Sequence, residues 1–197
     1  MSIERFTDLE QPTQHIHLDE ESPFLSNVHL GAVKALSAFM ASSDNFNLHG
    51  IEVECHEEGI FATATNGHVL ITLELDPEPV CGGRSTGRTF YSGESVKRFV
   101  ESKGYTPMDR EDSNFPDVRQ AIPASFDEPG PAIGIDAKYM DSMLKALKAL
   151  KLVGGKKSQP VKMQHNGAFS PMLFTVEHPK SDVVTAIWMV VMPMRLD

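Results

Sequence analysis

The chain has 197 residues, 41% of them hydrophobic, and a net charge of −9. That apolar content suits one packed domain, or two small ones sharing a core, and excludes a disordered chain. No apolar run approaches the roughly 18 residues of a membrane span. The N-terminus, MSIERFTDLEQ, lacks the basic and apolar regions of a secretory signal. Two cysteines, Cys55 and Cys81, are too few for a disulfide framework and lack the spacing of a zinc pair. These features predict a cytoplasmic protein with reduced thiols, no metal or other cofactor and no membrane partner.

The charge is uneven. Residues 1–130 carry 9 Lys/Arg against 22 Asp/Glu, whereas residues 131–197 carry 9 against 5. Bulk charge therefore does not attract DNA, although the basic C-terminal part can contact it locally and with strong salt dependence.

Residues 1–27 are polar and read as a lead-in with one short strand near His15–Leu18. From Leu30 to Ser42, apolar residues fall at helical spacing, with Asn27 as N-cap. Ile51, Val53 and Cys55 alternate with charged residues, the pattern of a half-buried strand. A turn at Glu57-Glu58-Gly59 leads to a strand over Ile60–Thr65. Asn66-Gly67 is a hairpin signal, since both positions tolerate the positive φ of a tight turn. His68–Leu75 is the return strand. Residues 76–88 read as Pro/Gly-rich loop, Thr89–Tyr91 as a short strand and Glu94–Glu101 as a short helix. Residues 102–130, with four prolines, read as a connector without regular structure.

A second unit repeats this outline. Ala132–Ile135 reads as a strand and Asp136 as the N-cap of a helix over Ala137–Leu152. Met140, Met143, Leu144, Leu147 and Leu150 form its apolar stripe, with Lys138, Lys145 and Lys148 away from it. Strands follow at Val161–Gln164, at Phe169–Val176 after an Asn166-Gly167 turn, and at Val183–Met192. The last is apolar enough to be buried on both faces. The fold class is α+β, a helix-plus-antiparallel-sheet unit repeated twice.

Three motifs compete for chemistry and lack their context. Gly82–Thr89 nearly matches a phosphate-binding loop, but a strand follows it instead of a helix. A nucleotide hydrolase built on that loop is the enzymatic alternative. His15-x-His17 has no third metal ligand. His68 has no Ser or Cys partner for nucleophilic catalysis. No catalytic residue is assigned, and the chain is not expected to be an enzyme.

Three further segments carry a resemblance. ATATNGHVL (62–70), NFPDVRQAIP (114–123) and VVMPMRL (190–196) are similar to three motifs of the bacterial sliding clamp, the β subunit of DNA polymerase III. NLHGIEVE (47–54) and IGIDAKYMDSMLKAL (133–147) match it more weakly and in the right order. The resemblance implies a DNA-clamp-like fold. Residues 1–123 look like a shortened middle clamp domain, and residues 124–197 look like the C-terminal half of the last. The family's first domain and the start of its third have no counterpart, so its ring-closing surfaces do not carry over.

In that family the three motifs line a groove for clamp-binding peptides of polymerases, the clamp loader and repair proteins. Here the resemblance implies a groove of Leu48, Thr65, Gly67, His68, Leu70, Pro123, Val190, Met192, Pro193, Met194 and Arg195. Adaptable methionines and the forked donors of Arg195 suit peptide recognition. Val69 stands where the family has Arg, Asn66 where it has Asp, and Asp197 follows the usual final Leu. Phe115, Pro116 and Pro123 also read as loop anchors, and the C-terminal methionines as plain core. Clamps face duplex DNA with helices, touching phosphates without reading sequence. That implies Lys97, Arg98, Lys138, Lys145 and Lys148 as DNA contacts, against the alternative of an ordinary solvated helix face. The expected function is a polymerase processivity factor that encircles DNA as a homo-oligomer. The alternative is an adaptor or decoy that binds partner peptides without encircling DNA.

Overall fold

The period-2 stretches of the first unit form hairpins. β1 (Gly50–Cys55), β2 (Ile60–Thr65) and β3 (Val69–Leu75) pair antiparallel in sequence order. In the computed structural model, which describes residues 4–12, 29–45, 47–57, 59–76, 86–109, 111, 114–122, 135–152, 160–165, 170–177 and 183–192, β4 (Gly87–Ser92) flanks β1. The second unit supplies β5 (Lys162–Gln164), β6 (Met172–Glu177) and β7 (Val184–Val191). β7 pairs antiparallel with β3, so both units share one sheet of order β4-β1-β2-β3-β7-β6-β5.

Helices α2 (Leu30–Ser37), α3 (Gly93–Glu101) and α4 (Ala137–Ala149) cover one face of the sheet. Val53, Ala62, Leu73, Ile187 and Val176 form one cross-strand row on that face, all buried against helix residues such as Leu36, Phe99 and Met143. The opposite face carries Phe61, Leu70, Phe90, Leu173, Trp188 and Val190. It is covered by Phe6 of the short helix α1 (Glu4–Thr7) and by Phe115, Val118 and Ile122 of the connector. Gly50 pairs with Ser92 at one end of the β1–β4 ladder. A Cβ there would lie 2.4 Å from the Tyr91 carbonyl oxygen, so the strand crossing admits only hydrogen.

Several expectations need correction. The helix from Leu30 ends at Ser37, not Ser42. Ala38 and Phe39 donate to carbonyls three residues back, and the Ser37 hydroxyl donates to Lys34 O, so the last turn tightens and stops. Its expected cap, Asn27, lies outside the described residues. β1 is not half-buried: Glu52 and Glu54 are only 1% and 4% exposed, because the second face is covered too. The strand at 89–91 extends to Gly87–Ser92. The connector has a 3-10 turn over Val118–Ala121, capped by Asp117, and Glu111 bridges to Phe90.

The stripe of α4 is rotated by about one position. Tyr139, Met143, Ala146 and Leu150 are buried, whereas Met140 and Leu144 are 46% and 40% exposed. The helix ends at Ala149, where Lys151 takes a left-handed φ of 57° and Leu152 N–H reaches back to Leu147 O. The last strand is covered on both faces, as its composition predicts. The strand expected at 15–18, residues 132–134 of the one expected at 132–135, the Asn166-Gly167 turn and the first half of the glycine loop lie outside the described residues. The end of that loop, Gly87-Arg88-Thr89, is part of β4, with Arg88 Nη1 3.6 Å from Glu52.

Candidate functional site

The β2–β3 hairpin tip is built by side chains as much as by backbone. Only Gly67 has a positive φ, 88°, so the turn is longer than the two-residue loop that Asn-Gly suggests. Asn66 N–H donates to Val69 O, and the Asn66 side-chain oxygen accepts from His68 N and Val69 N at 3.0 and 3.1 Å. The Thr65 hydroxyl donates to Val69 O at 2.8 Å and accepts from Gly67 N at 3.1 Å. These bonds leave Gly67 and His68 exposed at the tip.

The end of β7 runs alongside. Leu70 pairs with Val190 and Val69 with Val191, and Met192 N–H donates to His68 O at 3.0 Å. Leu70 and Val190 belong to one apolar cluster with Val118 and Ile122, with Leu48 packed on its margin. The Leu48 Cδ1 methyl stands 3.8 Å from where a Gly67 side chain would begin. Met192 is 41% exposed. The structure thus brings Leu48, Thr65, Gly67, His68, Leu70, Val190 and Met192 to one place, the seam of the joined sheet. Leu70 and Val190 form a buried floor, Thr65 braces the turn, and Leu48, His68 and Met192 reach the surface. Pro123, Pro193, Met194 and Arg195 lie outside the described residues. Val69, where the family has Arg, is 2% exposed and faces the helix-side core.

Sequence reasoning missed one neighbour of this place and an ion pair farther along the sheet. Tyr139 of α4 stacks on the His68 ring, 6.2 Å between centroids and 24° between planes. Its spacing with Met143, Ala146 and Leu150 was as helical as that of the more apolar residues beside it. Arg119 and Glu54 lie within the resembling segments 114–123 and 47–54, but nothing in the sequence pairs them. The Arg119 guanidinium grips both oxygens of Glu54, with Nη1 3.3 Å from Oε1 and Nη2 on Oε2. Nη1 also donates to Asp117 at 3.0 Å, and the guanidinium lies 4.6 Å over the Phe6 ring. His56 Nε2 is 2.9 Å from Glu54 Oε2. Both members of the central pair are buried, with side chains 7% and 5% exposed. Burial pulls the guanidinium pKa down, but Glu54 and Asp117 outweigh it and hold the pKa above its ordinary value.

The five cations proposed for DNA are all exposed, Lys97 and Arg98 on α3 and Lys138, Lys145 and Lys148 on α4. Three already face carboxylates. Arg98 pairs with Asp109, Lys138 with Asp136 at 3.1 Å, and Lys145 with Asp141 at 2.7 Å. Lys138 also lies 4.7 Å over the Tyr139 ring. The backbone N–H and ammonium of Lys138 lower the Asp136 pKa, and Asp136 raises that of Lys138. Among the described residues no cluster of His, Cys, Asp or Glu could hold a metal, and no helix is long and apolar enough to cross a membrane.

No protein-family sequence profile and no curated protein sequence matches the chain. Solved structures do. The DNA polymerase sliding clamp of Bacillus subtilis superposes with a TM-score of 0.64 at 13% identity, over 96% of this chain and 67% of the clamp. The β subunit of DNA polymerase III from Thermotoga maritima gives 0.62 at 16% identity, over 94% and 69%. The Pseudomonas aeruginosa clamp bound to griselimycin gives 0.64 at 14%, over 92% and 68%. The chain has the sliding-clamp fold. It spans about two thirds of a clamp subunit, and its two sets of strands form one joined sheet.

Proposed function

We propose that this chain is a non-catalytic peptide-binding protein of the sliding-clamp type. Its seam site receives short apolar segments of replication and repair proteins. The observation that carries this reading is the meeting of the β2–β3 tip with the end of β7 over an apolar floor of Leu70 and Val190. A hydrophobic side chain of a peptide gains by lying against Leu48 and Met192, and the flexible thioether adapts to its shape. Pro123, Pro193, Met194 and Arg195 complete the groove in this proposal.

The test is fluorescence anisotropy with a labelled peptide carrying a polymerase clamp-binding segment. Micromolar binding that is lost on truncating Met192–Asp197 supports the reading, and no binding of any such peptide removes it.

A second reading is favoured by the exposed cations on α3 and α4, which share one face of the sheet. In that reading several copies close head to tail around duplex DNA and act as a processivity factor. It predicts a ring-sized mass by light scattering and retention on circular but not linear DNA. A monomer at high concentration excludes it and leaves the peptide-binding adaptor.

A further inference from the structure

Between Glu111 and Ile122 the chain must cross the covered back of the sheet. It enters at the β4 edge, where Glu111 and Phe90 exchange backbone hydrogen bonds at 2.9 and 3.4 Å. It leaves with Ile122 in the cluster that holds Leu70 and Val190. Along the way Phe115 packs on Phe90, with ring centroids 6.0 Å apart. Apolar contacts alone would let such a segment slide, because they have no preferred direction. A carboxylate held by both arms of a guanidinium fixes position and orientation together.

We propose that Arg119 is a positioning residue for the seam site, acting through Glu54 from the opposite end of the connector turn. The fork fixes the 3-10 turn over Val118–Ala121 against β1. Asp117 keeps the fork aimed by accepting from both the backbone and the side chain of Arg119. Phe6 closes over the guanidinium and packs on Phe61, 5.1 Å between centroids, which shuts water out of the pair. Ile122, three residues on, is thereby pressed against the floor of the seam. The floor on which a peptide rests is set by an ion pair that the peptide never touches. The consequence for peptide affinity rests on the function proposed above, whereas the geometric part does not.

The experiment uses the full chain with methyl-labelled Ile, Leu and Val, together with the labelled clamp-binding peptide. Arg119→Lys keeps the charge and removes the fork, and Glu54→Gln keeps an acceptor and removes the charge. Both variants are expected to move the methyl resonances of Ile122, Leu70 and Val190 and to weaken the peptide by about tenfold. Met192→Ala, the control, is expected to weaken the peptide while leaving the Ile122 methyl unmoved. Unmoved methyls in both folded variants overturn the proposal, and so do moved methyls with unchanged peptide affinity. A wild-type protein that takes no peptide ends the functional reading instead. The methyl shifts alone then decide whether Arg119 sets this surface.

Discussion

The backbone N–H of Met192 bonds the carbonyl of His68 at 3.0 Å, one step beyond the last paired residues of β3 and β7. The ladder therefore continues to the hairpin tip and holds the Met192 side chain beside His68. Met192→Ala removes an exposed side chain, so stability should change by no more than about 0.5 kcal/mol. Peptide affinity should fall about tenfold if the side chain is an anchor. Urea melts and anisotropy on the same preparation separate the two effects.

The rotated stripe of α4 gives a paired test. Met143→Ala empties a buried position and should cost about 2–5 kcal/mol. Met140→Ala, at a position in the expected stripe that is 46% exposed, should cost no more than about 0.5 kcal/mol. Equal costs in urea denaturation would mean that the helix is turned the other way.

Asp136 caps α4 by accepting from Lys138 N at 2.9 Å. Asp136→Ala should destabilise the helix by leaving that N–H without its cap. The cap also has a pH signature. The folded pKa lies below the ordinary value of 3.8, chiefly through the Lys138 backbone N–H and then its ammonium. The cap's contribution is thus present above the unfolded pKa and is lost as pH falls through the folded one. Circular dichroism at increasing acidity should show α4 fraying in wild type, and Asp136→Ala should lack that component.

Two glycines answer different physical demands. Gly50→Ala places a methyl 2.4 Å from a backbone oxygen and should cost about 1–3 kcal/mol by overpacking. Gly67→Ala meets only the end of Leu48, at 3.8 Å, but must hold a φ of 88°. It should cost about 1 kcal/mol through backbone strain. Gly67→Asn should recover part of that loss, whereas Gly50→Asn should be worse than Gly50→Ala. Thermal melts of the four variants decide it.

The hairpins were legible because alternation and turn chemistry are local. Ile60–Thr65 was placed to the residue, and Val183–Met192 to within one at each end. The pairing of β3 with β7 was not, since no local pattern says which strand edge meets which. Glu52 and Glu54 misled for the same reason: a charged residue in a strand looks solvent-facing until distant groups cover it, Arg119 on Glu54 and Arg88 near Glu52. On α4, Met140 outweighed Tyr139 because the more apolar side chain reads as the buried one. The seam residues Leu48, Thr65, Gly67, His68, Leu70, Val190 and Met192 came from a motif resemblance and not from periodicity. Tyr139, Arg119 and Ile122 lie in resembling segments too, but their contacts belong to the three-dimensional neighbourhood alone.

The β3–β7 seam also constrains how the molecule can be made. These strands lie far apart in the chain, so the central ladder closes late and against a large loop entropy. Until β7 arrives, β3 is an apolar strand with one bare edge, open to pairing with strands of other chains. Refolding yield should therefore fall with protein concentration, and a soluble peptide copying Val184–Val191 should compete for that edge during refolding but not afterwards.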